Sequence, residues 1–416
     1  MDERSRIAWL YRRVAFGLEP GQLDALAPGG AAAAAKALLT SSGTPPADPW
    51  QDPDFANTQR DAQTTQKAID AWLTLMATTT RPFDEWATWF WHGLLVSSVQ
   101  DVKVALPMIK QMRLFRANGL GSFPALLRAI TVDGAMLDYL DGNTSTAVAP
   151  NENFSREILE LFALGRGNYS ETDIQAGARA LTGWVALPRN NFDATFVRSR
   201  HDDAGQYYLG RSGVHDVDTV IAAITAHQAC APWITGKLVR AILGPNAQPA
   251  FVQQLSTEFL STGFDTRALI TTIITRALAD ESVIADPIVV APVPWLVMAQ
   301  RACGATLDPR VRIGGLRAAG QVPWLPPNVA GWPGGAAWLG SSTVAARFNL
   351  AVAVADATPA TNPAFAAAKD GDAVALATAL GLPRSFGAPT AGALAAVKDA
   401  RSRLVLALTS PEFVLA

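Results

Sequence analysis

Carboxylates, amides and a guanidinium crowd into one short run, Asn151-Glu152-Asn153-Phe154-Ser155-Arg156-Glu157-Ile158-Leu159-Glu160. At about 100° per residue, Phe154, Ile158 and Leu161 share one face of a helix, and Asn153, Glu157 and Glu160 cluster on the next. Asn151 or Asn153 suits the N-cap, Glu152 sits at the positive end of the helix dipole, and Gly165 is a natural terminator. Leu159 falls nearly opposite the core face and Leu164 inside the polar sector. A helix so apolar all round is expected to be largely buried, and a buried carboxylate needs a partner or a shifted pKa. Two readings follow. In one, Asn151, Asn153, Glu157 and Glu160 face a pocket and supply general acid–base groups or metal-ligand oxygens. In the other, Arg156 pairs with Glu160 and Glu152, an ion network that only fixes the helix. Arg179, alone on the apolar stretch from Thr172 to Trp184, is a candidate partner for Glu157 or Glu160; with Arg156 it is also a candidate anion binder.

Other segments offer groups to close such a site. His92 ends the aromatic run Trp86-Ala87-Thr88-Trp89-Phe90-Trp91-His92 and reads either as a hydrogen-bonded core residue or as a base. His201 and Asp202, with Asp203, join imidazole to carboxylates and form a candidate metal cluster, the alternative being a solvated loop. His215-Asp216 and His227 read as cap or surface residues. The chain has 4 histidines, so an oxygen-rich Mg²⁺, Mn²⁺ or Ca²⁺ site is easier to build than a three-histidine zinc site. The 322–338 loop carries Trp324, Trp332 and Trp338 with Asn328, either a sugar-stacking platform or a plug over the core. Gly331-Trp332-Pro333-Gly334-Gly335 lacks the Gly-Lys-Ser/Thr ending of a phosphate loop. A Gly-x-Ser-x-Gly elbow, a recognisable Cys/His pair and a dinucleotide fingerprint are missing.

The elements that must hold these residues read as helices. Of 416 residues, 49% are hydrophobic and only 17% charged, with a net charge of −2. That excludes a mostly disordered chain and argues against nucleic acid as the partner. Cys230 and Cys303 read as two reduced, buried thiols. No apolar stretch approaches the roughly 18 residues of a membrane span, and the N-terminal run has no signal-peptide core. The expected location is the cytoplasm, export with a partner being the alternative. Helical spacing predicts elements over Met1–Phe16, Ala31–Leu39, Asn57–Thr78 (with Asn57 as cap), Pro82–Val96, Val104–Ala117, Phe123–Asp133, Glu152–Leu164 and Glu171–Thr182. Further helices are predicted through the second half of the chain. The prediction is a mostly α, single large multi-helix domain with long aromatic, Pro- and Gly-rich loops and at most a small β-hairpin in 186–216. Residues 1–357 form the main body, with core motifs at 114–184 and 321–349. Residues 358–416 form an Ala-rich helical C-terminal appendage packed on it.

The run Asn-Glu-Asn-Phe-x-Arg-Glu-x-Leu-Glu-Leu-Phe-x-Leu-Gly from Asn151, followed by Tyr169, Glu171, Asp173 and Ala178-Arg179-Ala180-Leu181-Thr182-Gly183-Trp184, resembles the bacterial family catalogued as domain of unknown function 1800. So do Leu114–Phe123, Ala135–Leu140, Pro326–Pro333, Arg12–Gly17 and Ser410-Pro411-Glu412-Phe413. The resemblance spans nearly the whole chain. It implies a predominantly helical fold, no established reaction, and a cooperating sulfatase-like protein encoded nearby. Two positions depart from the pattern. Leu94 stands where the family shows the second His of Trp-His-x-His-Phe. Ala204 and Gln206 replace the Gly and Lys of His-Asp-x-Gly-x-Lys. The leading expectation is a hydrolytic or transfer pocket, assisted by a divalent cation. Glu157 and Glu160 would supply carboxylate chemistry, Arg156 and Arg179 would hold an anion, and His92, His201 and Asp202 would close the site. The alternatives are a non-catalytic binding or chaperone-like subunit for a secreted or sulfatase-like protein, and a carbohydrate-binding module built on Trp324, Trp332, Trp338 and Asn328.

Overall fold

Short polar side chains start most of the helices. In the computed structural model, which describes residues 1–41, 44–284 and 287–416, Asp133, Asn151, Ser170 and Asp216 each accept a backbone N–H from the first turn that follows, filling donors the helix itself leaves free. Prolines open others: Pro82, Pro292, Pro309 and Pro363 stand in the first turn, where no N–H is needed. The result is a mostly helical body. The helix predicted from Asn57 begins later, as Ala62–Thr78, because Asp61 takes the cap; Asn57 instead turns the preceding loop by accepting the Gln59 N–H. Strands form two antiparallel hairpins rather than one, Trp184–Ala186 with Ala194–Phe196 and Gln206–Tyr208 with Arg211–Val214. Tyr208, inside the 186–216 stretch, is fully buried.

The Pro82–Leu94 helix packs on Ala105–Asn118. Between them Glu85, wholly buried, takes the fork of Arg116 at 2.6 and 3.0 Å and the indole N–H of Trp72 at 2.9 Å. Both cysteines are free and buried.

Residues 358–416 pack on the rest of the chain. Ala400–Thr409 lies along Ser341–Ala357, and Trp295 donates its indole N–H to the Leu408 carbonyl at 3.0 Å. The first helix, Glu3–Val14, is clamped by the last residues. Arg12 donates to the Phe413 and Leu415 carbonyls at 2.8 and 3.0 Å and lies over the Phe413 ring. Ile288 and Ala416 exchange a pair of backbone hydrogen bonds. Among the described residues no helix is long and apolar enough to cross a membrane.

Candidate functional site

The carboxylate segment is one helix in two registers. Glu152–Glu157 is α-helical, and Ile158–Ala163 continues as a π-helix, with bonds from i to i+5. Leu159 O accordingly receives the N–H groups of Leu164 at 2.8 Å and Gly165 at 3.2 Å. The Trp233 indole donates to the Leu161 carbonyl at 3.2 Å. The wider turn shifts every side chain after Glu157 around the axis. Leu164, placed in the polar sector by a 3.6-residue repeat, is buried, and Leu161 turns half outward. Asn151 caps the helix by accepting the Phe154 N–H at 2.9 Å and ties it to the Leu140 carbonyl with its amide at 2.7 Å. Asn153 is exposed.

The expected ion network of Arg156 with Glu160 and Glu152 is corrected by the structure. Arg156 reaches forward to Glu171 in a forked pair at 2.8 and 2.9 Å, because that residue opens the next helix, Glu171–Ala180, packed alongside. Glu160 instead pairs with Arg166 at 2.5 Å and accepts the Tyr169 hydroxyl at 2.7 Å. Those two groups hold its carboxyl below the ordinary range, the Tyr169 hydrogen bond more strongly than Arg166. Glu157 is half-buried and, among the described residues, has no hydrogen-bond or ion-pair partner. Burial raises its pKa, and the neighbouring charge of Glu160 adds to the rise. Tyr139 lies near enough to feel Glu157; burial, then Asp101 and Glu157, push its hydroxyl up to about 12.

Arg179 neutralises a largely buried carboxylate, but that of Asp202, at 2.7 Å, rather than Glu157 or Glu160. The 201–203 segment is not a solvated loop at His201, whose side chain is only 3% exposed. Its Nδ1 lies 2.8 Å from the Thr182 carbonyl and its ring meets the edge of Phe196. Asp202 accepts the Ala204 N–H. His201 and Asp202 thus bind the second hairpin region to the end of the Glu171–Ala180 helix. Among the described residues no group of three or more His, Cys, Asp and Glu side chains is placed to hold a metal ion. His215 and His227 sit at turns, each bonded locally through Nδ1.

His92 forms a third cluster. It is wholly buried, and its Nε2 accepts the Trp324 backbone N–H at 3.0 Å. Its ring sits edge-on to Trp72, Trp89 and Trp332 at 5.3 to 5.9 Å. Burial lowers its pKa to about 3. Among the described residues no hydrogen bond, ion pair or ring contact joins it to Glu157 or Glu160. The 322–338 loop closes over it. Trp324 is fully buried in a left-handed conformation at φ +68°, and Trp338 is 4% exposed. Trp332 stacks on Trp89 with centroids 5.4 Å apart. A sugar platform of three open indoles is therefore absent, since two of the three are packed inward. Asn328 is exposed and turns the loop by accepting the Ala330 N–H at 2.9 Å.

A family model described as "Protein of unknown function (DUF1800)" matches residues 9–415. The chain belongs to the DUF1800 family. No curated protein and no solved structure is a significant match. In this DUF1800 chain the charged and histidine candidates sit in the three clusters just described, around Glu160, Asp202 and His92.

Three groups escaped the reading of the sequence. Arg166 and Tyr169 define the state of Glu160, and the signal was their spacing past Gly165, where a turn folds them back. In the sequence Asp133 reads only as the end of the predicted helix Phe123–Asp133. It is 92% buried and its Oδ1 accepts three hydrogen bonds, from Gln111 Nε2 at 2.8 Å, Ala135 N at 3.0 Å and Met136 N at 3.1 Å. Burial nevertheless raises it to about 6. Its capping position was legible; its burial was not, because Gln111 comes from a distant helix.

Proposed function

We propose that the turn carrying Glu157 and Glu160 is the acid–base centre of a hydrolytic or group-transfer enzyme. The observation that supports it is the split between the two carboxylates. Glu157 is shifted up by burial and, among the described residues, has no hydrogen-bond or ion-pair partner, while Glu160, within one turn, is held ionised by Tyr169 and Arg166. Paired carboxyls pushed apart in this way suit opposite roles. Glu157 donates its proton to the leaving group as the bond breaks. Glu160 accepts one from the attacking water or acceptor hydroxyl, so protons balance across the turnover. Arg156, whose fork lies at the surface on Glu171, is the group we assign to an anionic part of the substrate. The scheme runs on proton transfer alone.

The discriminating variant is Glu157→Gln. A purely structural carboxylate loses stability when neutralised; an unpartnered buried one does not. The expected result is an unchanged or slightly raised melting temperature together with the phenotype of a gene deletion. Full complementation of the deletion by Glu157→Gln overturns the reading.

A second reading, a subunit that binds a sulfatase-like protein, draws on one surface. Val344, Phe348 and Val352 recur at i, i+4 and i+8 along Ser341–Ala357 and are 50%, 48% and 37% exposed, an apolar stripe of the kind found at interfaces. Its test is co-purification with that protein, lost on Phe348→Asp.

A further inference from the structure

A separate cavity of about 370 Å³ opens beside Asp133, with Lys110 and Arg113 on its wall. That volume suits a small metabolite. The hydrogen bonds from Gln111, Ala135 and Met136 all land on Oδ1 of Asp133, and none of the three uses Oδ2. Lys110 and Arg113 lie one turn apart on Ala105–Asn118, so they present to the same side. Lys110 Nζ already donates to Asn191 O at 2.8 Å and to Asp193 at 2.7 Å, leaving its third N–H. Arg113 uses Nε and Nη2 on Asp48 and the Trp50 carbonyl, leaving Nη1. Asp193 and Asp48 offset the two cations, so Asp133 is the uncompensated charge of the cavity. Leu114, Val132 and Phe192 supply an apolar wall.

A bare anion meets the Asp133 carboxylate, and a bare cation leaves the spare Lys110 and Arg113 donors unused. A ligand bearing both charges answers both. We propose that this cavity binds a free α-amino acid with an apolar side chain. Its ammonium sits on Asp133 Oδ2, its carboxylate on Lys110 and Arg113, and its side chain on Leu114, Val132 and Phe192. The site is independent of the Glu157–Glu160 centre.

The test is titration calorimetry on the full chain with L-leucine and L-phenylalanine, then with N-acetyl-L-leucine, which lacks the ammonium, and L-leucinamide, which lacks the carboxylate. The expected result is saturable one-to-one binding of a free amino acid, with both leucine derivatives at least about tenfold weaker. Lys110→Ala, on the rim, is expected to weaken leucine by about tenfold with an unchanged melting temperature. Asp133→Asn is expected to abolish binding. Should that variant fail to fold, because Asp133 also caps a helix, Lys110→Ala and the two derivatives still decide. The proposal is overturned by no binding of either amino acid up to about 10 mM, by derivatives that bind as well as leucine, or by Lys110→Ala binding like the wild type.

Discussion

Acidification should destabilise this protein through His92 in a way one substitution removes. The ring is buried against Trp72, Trp89 and Trp332, and its Nε2 is occupied by the Trp324 N–H. Protonating it means losing that hydrogen bond and placing a charge among indoles. Burial therefore lowers its pKa to about 3, against about 6.5 in the unfolded chain. Because the folded value is depressed, the native state favours the neutral ring. The stability it contributes is complete above about pH 6.5 and is lost as the pH falls. Between about pH 7.5 and about pH 5 only the unfolded chain takes up this proton. At about 1.4 kcal/mol per unit, over about 1.5 units, the loss is about 2 kcal/mol. Other groups titrate over the same range, so the measurement is a difference. Urea unfolding of the wild type and of His92→Gln, whose amide oxygen can still accept from Trp324, is compared at both pH values. The wild type should lose about 2 kcal/mol more than the variant. Equal losses in the two proteins refute the reasoning and mean that the buried ring takes up a proton in the fold.

Asp133 should titrate with the opposite sign. Its folded pKa is raised by burial to about 6, so stability is greatest below its unfolded pKa and falls as the pH rises toward 6. Relative to Asp133→Asn, which leaves Lys110, Arg113, Gln111 and Asp193 in place, the wild type should lose about 2 kcal/mol between about pH 4 and about pH 7, read by urea unfolding. Glu85→Gln should cost about 3–5 kcal/mol, because it leaves the Arg116 fork and its buried surroundings without a counter-charge; a thermal melt lowered by only a degree or two contradicts this. Gly331→Ala should be destabilising by at least about 1–3 kcal/mol, since Gly331 has φ +82° and an added Cβ would lie 2.6 Å from the Gly93 carbonyl; hydrogen exchange should rise first in the 322–338 loop.

The helices were legible because their signals are local. Prolines in first turns, capping Asp, Asn and Ser residues and the recurrence of apolar positions needed no tertiary information, and the Pro82 and Glu171 starts fall where the residues put them. The π-turn was not legible. A 3.6-residue repeat assigned Leu161 and Leu164 to the wrong sides, and the Trp233 indole that accommodates the turn comes from a helix far along the chain. The same limit applies to charge partners. That Arg179 would neutralise a buried carboxylate was readable from its apolar setting; that the partner is Asp202 depends on how a hairpin folds back. Glu157 and Glu160 were singled out by type and spacing, but their different states rest on Arg166 and Tyr169, which only a turn past Gly165 brings into range.

The Arg12 clamp bears on how the chain folds as it is made. The Glu3–Val14 helix is made about 400 residues ahead of the carbonyls that, among the described residues, accept from its buried guanidinium, those of Phe413 and Leu415. Until those residues leave the ribosome, that cation has no lasting place inside, and the first helix waits with an unsealed end. Closure of the core around Arg12 therefore waits on residues made about 400 positions later. Deleting Pro411–Ala416 should leave a product that chaperones hold and proteases clear, rather than a native protein lacking one short segment.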